Sequence, residues 1–101
     1  MPTSTAAVPT DAADRYAKQL LSHLGRKNRV EPVDGVSDAW RLVFAYGVGT
    51  IRSEDDRIVL EAAAADEESL ARVQDVLARH LERFGARREL VVHWSVQGQA
   101  L

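Results

Sequence analysis

"DEESLARVQDVLARHLERFG", residues 66 to 85, is the stretch on which the reading of the fold turns. Leu70, Val73, Val76, Leu77, Leu81 and Phe84 recur every three or four residues, which gathers them on one stripe of a helix. Asp66 stands where an N-cap is wanted, acids fill the first turn, and Gly85 follows as a stop. Such a stripe must be buried against something. Downstream, "ELVVHWSV" (89–96) alternates: Leu90, Val92, Trp94 and Val96 on one face, Val91, His93 and Ser95 on the other. Upstream, "AWRLVFAY" (39–46) does the same, with Trp40, Leu42, Phe44 and Tyr46 against Arg41, Val43 and Ala45. "TIRS" and "RIVLEAAA" continue the pattern, separated by "GVG" and "EDD", which read as turns or bulges.

Further towards the N-terminus, "TDAADRYAKQLLSHLG" (10–25) is a second amphipathic helix. Thr10 is its expected N-cap, and Gly25 is expected to close it in a left-handed conformation. "RVEPV" (29–33) carries Pro32 and reads as an edge strand, with Asp34-Gly35 as a turn. The order α-β-β-β-β-α-β predicts an α+β fold, two helices on one face of a small, mostly antiparallel sheet. The face presented to the helices carries Trp40, Leu42, Phe44, Ile58, Leu60, Val92 and Trp94. Residues 1–9 are small, polar and proline-bearing and read as a flexible tail. Residues 10–96 form a single domain, and 97–101 a second tail.

Composition narrows the function. The 101 residues carry 13 Lys+Arg and 15 Asp+Glu, a net charge of -2. That argues against a nucleic-acid partner, which needs a basic surface. Without cysteine, disulfides, thiol catalysis and thiolate metal sites are excluded. No apolar run approaches the ~18 residues of a membrane span, and the N-terminus lacks a basic, apolar leader. The expected location is the cytoplasm.

Three segments, "RYAKQLLSHLGRK", "FAYGVGTI" and "LARVQDVLARHLERFGARRELVVHW", resemble the bacterial family catalogued as domain of unknown function 2218, over roughly residues 10 to 94. Related domains occur alone or joined to siderophore-interacting flavin-dependent reductases. The resemblance therefore implies a link to iron handling and a reductase of that kind as partner. It assigns no role to any residue.

Two of the three histidines open the similar tetrapeptides "HLGR" (23–26) and "HLER" (80–83). One reading makes both mere helix endings, because cations near a helix C-terminus are stabilised by its dipole. The other is a site. His80 falls within its apolar stripe, where a ring nitrogen needs a partner, and His23 lies at the edge of its own. If the helices pack side by side, the two meet. Tyr16 would then complete an N/N/O set suited to iron, zinc or haem iron, with Arg83 in support. His93 alternates with Trp94 and is expected on the open sheet face with Arg41 and Glu61. Val43, Val59, Val91 and His93 on that face suggest a homodimer interface. Gly47 and Gly49 precede no helix and so form no phosphate loop, and Glu54-Asp55-Asp56 lacks calcium-loop spacing. No nucleophile–base–acid set is present. The reading is a small cytosolic binding or accessory module for an iron-linked ligand such as a ferric siderophore or haem, in preference to an enzyme; the alternatives are a homodimerising interaction domain and a small enzyme.

Overall fold

The structure is a computed structural model that describes residues 2–97. Its elements run β1 (Thr3–Pro9), α1 (Ala13–Leu24), β2 (Arg29–Pro32), β3 (Ala39–Phe44), β4 (Gly47–Ser53), β5 (Arg57–Ala63), α2 (Glu67–Phe84), a 3₁₀ turn (Ala86–Arg88) and β6 (Ser95–Gln97). The six strands form one antiparallel sheet in the order β2-β3-β4-β5-β1-β6, and both helices pack on one side of it. This is the predicted α+β plan, with one strand more before the first helix.

That strand corrects the expected tail over 1–9. Ser4, Ala6 and Val8 alternate inward at 1%, 2% and 1% exposure, and β1 pairs with β5 from Thr3↔Ala63 to Pro9↔Arg57. Small residues are what this position demands. The Ser4 hydroxyl accepts a 2.7 Å hydrogen bond from the Gln74 side chain of α2, so its burial leaves no polar group unmet.

Register fixes the two sheet faces, since residues directly opposite share a face. The row Trp40–Ile51–Leu60–Ala6 and the row Leu42–Gly49–Ala62–Ser4 both face the helices. Leu42, Ile51, Ile58 and Leu60 are fully buried there, beneath Leu20, Val73, Leu77 and Leu81. Burying each such side chain stabilises the fold by about 1.5–3 kcal/mol. Gly49 sets how closely α2 approaches the sheet, because a Cβ there would lie 2.9 Å from Leu77 Cδ1. Trp40, expected in this core, shares the face but lies beyond α1 near the sheet edge and is 39% exposed.

Other local expectations shift. "GVG" is part of strand β4, and the turn falls at Ala45–Tyr46. The Tyr46 ring there stacks on Phe44 at 5.4 Å, with the Arg72 guanidinium 4.2 Å over it. Thr10 does not cap α1, which starts from Ala12; its Oγ1 accepts from the Ala12 N–H instead. Gly25 ends α1 in a right-handed conformation, φ -69, not a left-handed one. A Cβ there would lie 2.5 Å from the Leu21 carbonyl oxygen, so the need is for space.

The expected last strand over 89–96 shortens to Ser95–Gln97, which pairs with Thr3–Thr5. Leu90, Val92 and Trp94 still turn inward while Val91 and His93 are exposed, so the alternation holds without the ladder. The reason is a competing partner: the Val92 N–H donates to the Glu82 carboxylate of α2 at 2.9 Å, not to a strand. Of the expected C-terminal tail, Gln97 ends β6, and 98–101 lie outside the described residues.

Candidate functional site

Helix α1 runs beside α2 so that His23, in its last turn, meets His80. The ring centroids are 4.9 Å apart and tilted by 43°. Phe84, one turn beyond His80, sets its edge against His23 at 5.8 Å. His23 is exposed and His80 half-buried. Nδ1 of His80 lies 2.7 Å from the Val76 carbonyl oxygen. A carbonyl oxygen can only accept, so Nδ1 is the protonated nitrogen and Nε2 carries the lone pair of the neutral ring.

Two depressions flank His23. One, of about 380 Å³, is bordered by Arg15, Lys18, Gln19, Ser22, Arg26 and Phe84. The other, of about 430 Å³, is bordered by Leu24, Arg26, Lys27, Asn28 and His80. His23 and Arg26 border both, so the two depressions adjoin along α1 and are together called the trough. No carboxylate lines either half.

The cations here are a selected subset. Lys18, Arg29, Arg41, Arg52, Arg57, Arg79 and Arg88 are ion-paired. Among the described residues Arg15, Arg26, Lys27, Arg72, Arg83 and Arg87 are not. Arg15, Arg26 and Lys27 line the trough, and Arg83 lies one turn from His80 on α2. The helix dipole explains Arg26 and Lys27 at the C-terminal end of α1. It does not explain Arg15, which sits in the first turn of α1, the unfavourable end for a cation.

Of the residues expected in the site, His23 and His80 come together, whereas Arg83, exposed and one turn from His80 along α2, lines neither depression. Tyr16 does not join them. It is 3% exposed in the core, with Arg15 at 5.5 Å over its ring, so the N/N/O set is not assembled. Among the described residues no three His, Asp or Glu side chains gather as a metal centre. Sequence reasoning misses Arg15, Lys18 and Asn28. Arg15, Gln19, Ser22 and His23 do share one face of α1, a polar period readable in the sequence, and Arg26 follows just beyond its end.

The expected dimer residues do not form one surface. Val43 and Val59 face the open side of the sheet, whereas Val91 and His93 lie on the run beside α2. Val59 is 4% exposed and so already covered within the chain, between Arg52 and Ala7 in register. The open face is laced with charge pairs. Arg52 bridges Glu54 and Glu61 at 3.0 and 3.2 Å, Arg57 reaches Glu54 at 2.6 Å, and Glu31 faces Arg41. These arginines hold the Glu54 carboxyl below its ordinary range, Arg57 most of all.

With the geometry in place, comparison settles the family. Residues 5–95 match DUF2218, described as uncharacterized protein conserved in bacteria. The chain belongs to this family. The fold is also that of a solved structure, the NMR structure of PA4090 from Pseudomonas aeruginosa. That protein is 30% identical, with a TM-score of 0.76 over 94% of this chain and 96% of the other. No curated protein matches the chain. Among the described residues no helix is long and apolar enough to cross a membrane.

Proposed function

We propose that this DUF2218 chain is a small binding module whose site is the trough across His23 and His80, and that its ligand is anionic. One observation carries the reading: two imidazoles from different helices meet where unpaired Arg15, Arg26 and Lys27 border a depression without acids. Cations left without partners among the described residues, around aromatic rings, suit a ligand with carboxylate or catecholate oxygens and a flat body. The iron-linked version is a ferric siderophore or haem, with a siderophore-interacting flavin-dependent reductase as the protein it serves. Haem and the catecholate ferric siderophores are anionic and partly aromatic. The trough is of the size that small ligands use, about 300–1,000 Å³.

The test is titration with ferric tricatecholate, hemin and citrate, read by intrinsic fluorescence and calorimetry. One of the three binds, more weakly as salt rises. Arg26→Glu and His80→Ala each weaken it at least about tenfold, the loss of one charge-assisted contact of ~1.5–3 kcal/mol. Binding of none of them, or binding indifferent to both substitutions, overturns the reading.

A further inference from the structure

We infer that His23 and His80 form a two-imidazole clip for a borderline divalent transition-metal ion, Zn²⁺ or Cu²⁺, joining α1 to α2. The clip rests on reading the trough as the ligand site, and it names how a ligand is anchored there.

Ring orientation favours a metal. His80 donates Nδ1–H to the Val76 carbonyl at 2.7 Å, which leaves Nε2 as the nitrogen with a free lone pair. Metal-ligating histidines are fixed in this way, with the second ring nitrogen tied to a backbone carbonyl or carboxylate. The tie also holds the ring against rotation, so less freedom is lost when a metal binds. Proximity favours it too. His23 brings a second imidazole to 4.9 Å from another element, and among the described residues nothing hydrogen-bonds its ring. Either of its nitrogens is therefore available. Phe84 stands against both rings, at 5.8 and 6.4 Å, and closes one side of the pair.

The ligand types then select the ion. Magnesium and calcium want oxygen donors, and no carboxylate lines the trough. Imidazole suits zinc, copper and nickel. Two neutral imidazoles leave the ion its full double charge beside Arg26 and Lys27, so an anionic co-ligand tightens a site that the two rings alone already hold. Among the described residues no third His, Asp or Glu joins the pair, so the remaining positions fall to water or the incoming ligand, as in open zinc sites. The unpaired guanidinium and ammonium groups are placed to meet that ligand's outer oxygens. The cations and the imidazoles thus serve one guest, an anion held through a metal.

The experiment titrates ZnSO₄ into the full chain after chelator treatment. It follows the melting temperature and the imidazole ¹⁵N resonances. One equivalent raises the melting temperature and shifts the His23 and His80 ring nitrogens but not those of His93. His23→Ala and His80→Ala each weaken zinc binding at least about tenfold, the loss seen when even an outer-shell partner of a metal ligand is removed. His93→Ala leaves it unchanged. His23 is exposed, so its substitution remains a fair test even if His80→Ala folds poorly. No zinc binding, or binding that survives His23→Ala, overturns the clip. Citrate titrated into the zinc-free protein decides separately on the anion. Citrate binding without zinc binding leaves the proposed function standing and removes the clip alone.

Discussion

Along α2, Leu70, Val73, Leu77 and Leu81 meet the sheet and are 5%, 0%, 0% and 0% exposed. One column over, His80 and Phe84 reach α1 and stay half-buried. Both columns come from the same periodicity and the same kind of helix. The first is filled with branched aliphatic side chains that interlock with Gly49 and Ile51. The second gives up aliphatic packing for two aromatic rings that border the basic trough. The contrast separates what holds the protein together from what it offers to a ligand.

The sharpest way to break that contrast is at Leu77. Leu77→Ala empties a fully buried site and should cost about 2–5 kcal/mol of unfolding free energy in urea. The trough should keep its affinity wherever the chain remains folded. A loss below about 1 kcal/mol would mean that the sheet-facing column is not the core.

His80→Leu asks the converse. The Val76 carbonyl keeps its helical partner, the backbone N–H of residue 80, so losing the imidazole strands no buried acceptor. Stability should stay within about 1 kcal/mol of the parent or rise, as expected for extra apolar surface at a half-buried site. Ligand and zinc binding should both disappear. A clear fall in stability with binding intact would make His80 a packing residue.

The smallest effect belongs to the open sheet face. Arg57 and Arg52 hold the folded-state pKa of Glu54 below its unfolded value. Its contribution is therefore full above the usual carboxylate range and is lost as pH falls through the folded value. The melting temperatures of the parent and Glu54→Gln should accordingly differ at neutral pH, converge in acid, and differ less in high salt. A gap that persists at low pH would contradict the ion-pair account.

The two columns are not equally legible in the sequence. The stripe of α2 and the alternation of β3 and β5 announce themselves because burial there follows strict periods. β1 does not. Thr3, Ser4, Thr5, Ala6 and Ala7 carry little hydrophobic signal, and what holds them as a strand is pairing with β5, far along the chain. The alternation at 90–94 is readable, but its hydrogen bonding is not, because Glu82 lies on another element. The histidine pair can be anticipated from each helix separately. Which cations stay unpaired cannot, since that depends on where the fold brings the acids.

The placement of β1 has a consequence in time. The strand is translated well before its neighbour: β5 begins at Arg57, and β1 ends at Pro9. At roughly 5–20 residues per second the ribosome needs several seconds to supply that neighbour. β2, β3 and β4, by contrast, each pair with the next strand in the chain. The first strand of this sheet in chain order can therefore pair only after the fifth has been made. A stretch kept short, small and weakly apolar is well suited to that wait, since it offers little for other chains to stick to.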